Sequence, residues 1–197
     1  MTRRTLIAGN WKLHKTVEES VRLARSVLHK LPRDSDVEVV VAPVFTALHA
    51  VQIALGDSGR VGLAAQNCYF EDEGAFTGEV SPALLKDVGV SAVIVGHSER
   101  RHVFGELDEQ VRRKVGAVLS HGLTPFLCVG ETLEQREAGD TERVVLGQLD
   151  AATEGLDAAT MARLVIAYEP VWAIGTGKTA SPDDAQAVHL AIRARVT

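Results

Sequence analysis

A chain of 197 residues is long enough to bury a sizeable core in one domain, and 46% apolar with 24% charged residues is typical of globular proteins. The formal net charge of −5 argues against a surface for nucleic acid or for an anionic membrane. Two cysteines in a chain of this length indicate a reduced, cytoplasmic protein, and we expect neither a signal peptide nor a membrane span.

Six short apolar segments predict six β-strands. They cover residues 5–9, 37–42, 61–65, 92–95, 124–129 and 164–167. None of them alternates with polar residues, which is typical of parallel strands that are buried on both faces.

Helical patterns lie between these segments, and their start signals are capping residues. The pairs Thr16 with Glu19 and Thr132 with Gln135 have capping-box spacing, and Ser81-Pro82 and Ser181-Pro182 are typical helix starts. A stripe of apolar residues at helical spacing predicts one more helix, from Leu107 through Val111, Val115 and Val118. Six strands, each followed by a helix, indicate an α/β protein with one parallel sheet in a single domain, 1–197. The pattern alone leaves open whether the sheet is doubly wound or closed into a barrel.

Polar residues follow the carboxyl ends of several predicted strands. Asn10 and Lys12 follow the first strand, His97, Ser98 and Glu99 follow the fourth, and Glu169 follows the sixth. Functional sites of parallel α/β folds are built at this edge of the sheet. Each residue also has a structural interpretation: Lys12 as a solvated lysine, Asn10 as a turn residue, His97 as a structural histidine and Glu169 as a buried ion-pair partner.

Two local features favour chemistry at His97 and Glu169. Ser98 is the predicted N-cap of a helix that begins there. The positive end of that helix would lie at His97 and disfavour the imidazolium, and a neutral imidazole can both donate and accept a hydrogen bond. Glu169 precedes a rigid Pro-Val-Trp sequence and a loop with Gly175 and Gly177. This order suggests a base that loses its water when a lid closes, with Gly175 offering its N–H to an anion.

Neither a metal site nor a nucleotide fingerprint is predicted. His97 and His102 are not spaced as a helical ligand pair, and no cluster of cysteines and histidines lies near them. The sequence GTGK lacks the spacing of a phosphate-binding P-loop.

Six segments of the chain resemble the triosephosphate isomerase family, in the family's order and at its spacing. They are AGNWKLHKT, AAQNCY, GAFTGEVS, VIVGHSERR, LCVGE and AYEPVWAIGTGKTA. The resemblance covers essentially the whole chain and implies a TIM (β/α) barrel. It also implies interconversion of dihydroxyacetone phosphate and D-glyceraldehyde 3-phosphate through an enediolate, in glycolysis and gluconeogenesis, with no metal or organic cofactor.

The same resemblance implies a role for each matching residue. Glu169 would be the base, His97 the neutral electrophile, and Lys12 and Asn10 would contact the substrate. Gly175 would bind the phosphate through its N–H, Glu99 would support Lys12, and Ser98 would support the His97 segment.

The segment YFEDEGAFTGEVS is similar to the loop through which members of this family form homodimers. The resemblance therefore implies a homodimer through Phe76, Thr77 and Gly78, with Thr77 at the tip and Glu79 facing Arg100 across the interface. From the residues alone, the segment is an ordinary exposed loop rich in glycine.

The resemblance ends before the family's last two units. A (β/α)₈ barrel takes about 250 residues, whereas six βα units are predicted here. We therefore expect the domain to be incomplete at its carboxyl end, and the 197 residues alone to fold poorly and to isomerise substrate below detection. Two alternatives stay open: an inactive barrel fragment that acts as a dimerising or binding module, and another phosphate-binding (β/α)-barrel isomerase or lyase.

Overall fold

The computed structural model describes residues 5–196, the side chain of Asp57 excepted. The predicted single domain 1–197 extends past this range at both ends and stays a prediction. The chain divides into two compact units, one formed by the residues up to Ile94 with Ser120–Thr124, the other by Val95–Leu119 with the residues from Pro125 onward.

Six strands and their intervening helices follow one another along the chain. The strands are β1 Leu6–Asn10, β2 Glu38–Ala42, β3 Val61–Ala65, β4 Ala92–Val95, β5 Thr124–Val129 and β6 Val165–Tyr168. The helices are α1 Val17–Lys30, α2 Leu48–Leu55, α3 Pro82–Asp87, α4 Ser98–His102, α5 Asp108–Ser120, α6 Leu133–Glu137, α7 Thr141–Thr153, α8 Ala158–Met161 and α9 Pro182–Val196. Short 3₁₀ turns lie at Phe45–Ala47, Gly56–Ser58 and Val171–Ala173.

In the first unit, β1, β2, β3 and β4 pair in chain order, and all three pairings are parallel. Ile7 lies opposite Val39, Val39 opposite Val61, and Ala64 opposite Ala92. The core of this unit contains apolar side chains of β2, β3, β4 and α2, such as Val41, Leu63, Val93 and Val51.

In the second unit, β5 and β6 form a parallel pair, with Cys128 opposite Ala167 and Val129 opposite Tyr168. The core of this unit holds apolar side chains of three elements: Val111, Val115 and Val118 from α5, Leu127 and Val129 from β5, and Val145 and Leu149 from α7. Three residues of the predicted stripe, Val111, Val115 and Val118, therefore face a core, whereas Leu107 precedes α5 and is 65% exposed.

These pairings and the regular alternation of strand and helix confirm the predicted α/β fold with six βα units. Residue ranges of three predicted strands agree with the structure. The first and sixth strands are displaced by one residue, and the second begins one residue later than predicted. Thr16 and Thr132 each make a capping box, and Ser81 caps α3. No helix within residues 5–196 combines the length and apolar character that a membrane crossing needs.

A buried ion pair in the second unit departs from the sequence pattern. Lys114 and Glu106 are 4% and 7% exposed, and the Lys114 ammonium donates to the Glu106 carboxylate. Arg100 Nε lies 3.8 Å from the same carboxylate. The attraction between the two charges offsets the cost of removing them from water, and either charge alone would be buried without compensation, so the two residues depend on each other.

We predict that Lys114→Met lowers the free energy of unfolding by about 3–5 kcal/mol, because it leaves Glu106 buried without its ammonium partner. The double variant Lys114→Met/Glu106→Leu should recover most of that loss. Urea unfolding measures both. Arg112→Met on the same helix is the control, because Arg112 pairs with Glu154 at the surface, where such pairs contribute about 0–1 kcal/mol. Equal losses in the single and double variants would contradict the pairing argument.

Candidate active site

The second unit brings His97, Ser98 and Glu169 together just past the ends of β4 and β6. The His97 Nε2 atom lies 3.6 Å from Glu169 Oε2, and the Ser98 hydroxyl donates to the same oxygen at 2.7 Å. The side chains of His97 and Glu169 are 12% and 14% exposed. An imidazole and a carboxylate in a largely desolvated site form a natural pair for proton transfer.

The structure corrects the predicted cap of α4. His97 rather than Ser98 is the N-cap, and its Nδ1 accepts a hydrogen bond of 3.2 Å from the Glu99 N–H. An imidazolium carries a hydrogen on Nδ1 and could not accept this bond, so the contact requires the neutral ring with its proton on Nε2. Ser98, the first residue of the helix, uses its hydroxyl on Glu169 instead.

The Glu169 carboxylate is only partly satisfied. Oε2 accepts from Ser98, whereas Oε1 is buried and has no hydrogen-bond partner within the described part of the chain. A buried acceptor without a partner costs about 1–3 kcal/mol. Glu106 Oε2 is likewise buried without a partner among the described residues, so it is the neighbouring imidazole that distinguishes Glu169.

The backbone holds Glu169 in place through β5. The Glu169 N–H donates to the Val129 carbonyl at 2.8 Å, one residue past the end of β6. Gly130 then passes so close that a Cβ atom there would lie 1.8 Å from the Glu169 carbonyl oxygen. The Gln148 side chain bonds both the N–H and the carbonyl of Gly130, at 2.9 and 3.2 Å. Position 130 therefore requires glycine.

Cys128 lies on β5, two residues before Gly130, and is 5% exposed. Burial, followed by the negative charge of Glu169, raises the pKa of its thiol well above the usual range. The thiol is therefore neutral and unreactive.

A second buried carboxylate, Glu131, lies beside this group and was not predicted. It is fully buried, and its oxygens accept from the Tyr168 hydroxyl at 3.0 Å and from the Trp172 indole N–H at 2.9 Å. Burial and the charge of Glu131 raise the pKa of Tyr168, which keeps its hydroxyl protonated as a donor. The signal in the sequence was the polar residue two positions after the apolar strand in LCVGE.

The predicted lid follows the stem of residues 170–172 and lies between the turn Val171–Ala173 and α9. Residues 174–179 are exposed, and Gly175 and Gly177 both have positive φ, 70° and 77°. The Thr176 hydroxyl donates to the Trp172 carbonyl at 2.6 Å and accepts from the Lys178 N–H at 3.2 Å. Gly175 therefore lies in an exposed, internally hydrogen-bonded loop.

In the first unit, Asn10 and Lys12 form a local arrangement of their own. Lys12 has the left-handed φ of 52°, and its N–H donates to Asn10 Oδ1 at 2.9 Å. The Gln66 amide donates to the carbonyls of Lys12 and Ala42 at 2.9 and 2.8 Å. Two hydrogen bonds thus hold a backbone conformation that is unusual for a lysine. No role was predicted for Gln66.

The predicted site residues thus fall into two groups. His97, Ser98, Glu99 and Glu169 lie together in the second unit, which also contains Gly175, and Asn10 and Lys12 lie together in the first. The Glu99 N–H supports His97, and its carboxylate lies 3.6 Å from His97 Nδ1. The predicted support of Lys12 by Glu99 stays a prediction. Across residues 5–196, no set of three or more histidine, cysteine and acidic side chains is arranged to hold a metal ion.

Comparison with known proteins matches almost the whole chain to one family. The model of the family described as triosephosphate isomerase matches residues 5–197. A triosephosphate isomerase of Pelobacter propionicus is 56% identical over 195 residues, which are 99% of this chain and 77% of the relative. Those of Syntrophotalea carbinolica and Roseiflexus sp. are 57% and 54% identical, over 98% and 97% of this chain and 77% and 75% of their own lengths.

We predict that Gly130→Ala lowers isomerase turnover at least about 100-fold, because the new methyl group must displace the backbone that carries Glu169. A coupled assay of the protein expressed from its gene measures this. Gly147→Ala is the matched control, since its Cβ would meet nothing within 4 Å inside α7. That control should keep full turnover and gain up to about 1 kcal/mol of stability. Undiminished turnover in Gly130→Ala would show that the close approach does not position the base.

Proposed function

This chain belongs to the triosephosphate isomerase family, and we propose that Glu169 and His97 carry out the proton transfers of its reaction. The chain is an isomerase that interconverts dihydroxyacetone phosphate and D-glyceraldehyde 3-phosphate. The observation that supports the roles best is the buried, partly unsatisfied Glu169 carboxylate beside a neutral imidazole.

Glu169 is the base. Its carboxylate removes a proton from the carbon next to the substrate carbonyl, and the electron pair of that C–H bond forms the enediolate. The carboxylic acid then returns the proton to the neighbouring carbon. Support comes from the buried Oε1 atom without a partner and from the backbone contacts with Val129 and Gly130.

His97 is the electrophile. Its Nδ1 accepts from the Glu99 N–H, so the ring is neutral and its Nε2–H is the donor. A neutral donor can polarise the carbonyl oxygen and then move a proton between the two oxygens of the enediolate. Ser98 steadies the base through its bond to Glu169 Oε2.

The roles of the other site residues are inferred from the segments of this chain that resemble the family. Lys12 supplies positive charge and Asn10 a hydrogen bond to the substrate; the hydrogen-bonded backbone of Lys12 supports a fixed position for its side chain. Gly175 gives its N–H to the phosphate, and Glu99 supports Lys12. The reaction needs no cofactor, because carboxylate and imidazole supply both proton transfers. Such an enzyme of glycolysis and gluconeogenesis works in the cytoplasm.

We predict that Glu169→Asp lowers turnover about 100-fold or more, because the shorter side chain withdraws the carboxylate by roughly one ångström from the reacting carbon. Binding of 2-phosphoglycolate, a phosphorylated carboxylate that resembles the enediolate, should persist. Coupled assay and calorimetry on the protein expressed from its gene measure the two effects. Glu109→Asp, an exposed glutamate at the start of α5, is the control. Unchanged turnover in Glu169→Asp would reject Glu169 as the base, and absence of turnover in the unsubstituted protein would favour the binding-module alternative.

The protein is also proposed to form a homodimer through Phe76, Thr77 and Gly78. This loop is exposed, yet it is internally ordered: the Phe76 and Tyr69 rings pack with centroids 4.6 Å apart, and the Glu79 N–H donates to the Phe76 carbonyl at 3.0 Å. A loop that is already ordered loses little entropy on docking against a second copy.

We predict that Thr77→Arg converts the dimer into monomers, because a guanidinium at the loop tip would be buried without a partner. Sedimentation analysis should show the mass fall to half. Ala159→Arg, at an exposed position of α8, adds the same charge elsewhere and should stay dimeric. A Thr77→Arg protein of dimer mass would exclude this loop from the interface.

A further inference from the structure

Arg136, in the short helix α6, contacts both ends of the lid. Its guanidinium carbon lies 4.4 Å from the centroid of the Trp172 ring, and its Nη1 lies 3.5 Å from Glu131 Oε1. Its Nη2 donates to Asp184, in the first turn of α9. No role was predicted for Arg136.

Each contact reaches a residue that anchors one end of the lid. At the start of the lid, Trp172 is buried, and its indole N–H donates a hydrogen bond to the fully buried Glu131. At the other end, Asp184 Oδ2 accepts from the N–H and the hydroxyl of Ser181, at 2.9 and 2.7 Å. One guanidinium therefore connects the residue before the lid with the cap of the helix after it.

We propose that Arg136 is a positioning residue that fixes both ends of the lid, so that residues 174–179 move between anchored points. The inference rests on the proposed function, in which this segment covers the substrate. It concerns a different residue and a separate property, namely how tightly the lid is held.

The chemistry of arginine matches this task. A guanidinium is planar, so its face can stack on an indole while its edge donates to carboxylates on two sides. Lysine keeps the charge but cannot do both. The Arg136 and Asp184 side chains are 30% and 29% exposed, so the ion pair contributes little to overall stability and its effect lies in geometry.

A loosely held lid would expose the enediolate to water and to a wasteful reaction. In that reaction the C–O bond to phosphate breaks, and its electron pair leaves with the phosphate. The remaining enol gains a proton at carbon and loses its hydroxyl proton, which gives methylglyoxal. The fraction of substrate that ends as methylglyoxal and inorganic phosphate therefore reports how well the lid closes. General damage to the fold would reduce both products together.

A second measurement, the rate of cleavage by trypsin, reports on the lid without any catalysis by the enzyme. Lys178 is exposed within the lid, so trypsin can cut after it when the segment opens locally. The rate of that cut, relative to cleavage elsewhere in the chain, measures how firmly the two ends are held.

The test compares Arg136→Met, Arg136→Lys and Asp184→Asn in the protein expressed from its gene. Arg195→Met is the matched control, because Arg195 makes a two-bond ion pair with Asp150 from the same helix α9, at 2.7 and 2.8 Å, but lies far along the chain from the lid. Circular dichroism identifies variants that fold, and Asp184→Asn tests the inference if Arg136→Met does not.

We expect Arg136→Met and Asp184→Asn to speed the cut at Lys178 about tenfold and to raise the methylglyoxal fraction by a similar factor. The cleavage rate and the methylglyoxal fraction of Arg136→Lys should lie between those of these two variants and those of the unsubstituted protein. Both values for Arg195→Met should equal those of the unsubstituted protein. Cleavage at the unsubstituted rate in both Arg136→Met and Asp184→Asn would overturn the inference. If the unsubstituted protein lacks isomerase activity, the proposed function fails, and the cleavage rates still decide the role of Arg136.

Discussion

The hydrogen bond from the Glu169 N–H to the Val129 carbonyl is the constraint on which the second unit depends. It continues the β5–β6 ladder past the last residue of β6 and fixes where the chain leaves the sheet. Because β5 and β6 are parallel, both strands end at the same edge of the sheet. There Gly130, which has no side chain, leaves room for the backbone of Glu169. Glu169, which we propose as the base, the neighbouring Glu131 and the start of the proposed lid all take their positions from this exit.

The buried carboxylates of Glu131 and Glu169 are chemically identical, but their surroundings differ. Glu131 accepts from a hydroxyl, an indole and a guanidinium, so its charge is well compensated and its position is rigid. Glu169 accepts from Ser98 on one oxygen while the other has no partner among the described residues. Glu106 also has one oxygen without a partner among the described residues, but the Lys114 ammonium compensates its charge, so it stabilises the structure. Glu169 lies instead beside the His97 ring and retains the capacity to accept a proton. Chain position alone does not distinguish Glu131 from Glu169, since each follows a strand.

The elements, and the placement of His97 beside Glu169, could be predicted from the sequence because their signals are local. Apolar runs predict strands, and the Thr16 capping box predicts the start of α1 from four consecutive positions. His97 and Glu169 stand out because they follow such runs. Gly130, Arg136 and Gln66 could not be assigned in this way, since their importance depends on contacts with residues 24–54 positions away. The cap of α4 was misplaced because serine is the commoner cap, whereas the ring of His97 fills that position here.

The lid combines stiffness and freedom in a defined order along the chain. Proline at position 170 restricts φ, and the buried Trp172 adds a contact that must be kept, so the stem resists rotation. Gly175 and Gly177 follow with positive φ, a region that other residues enter only at a cost, and glycine also loses the most entropy when it is ordered. Closure therefore orders the most flexible residues, and binding energy from the substrate phosphate must offset that cost. If residues 170–172 were flexible too, closure would have to order more residues without bringing the lid nearer to the substrate. Fixed ends confine the entropic cost to the few residues that must move.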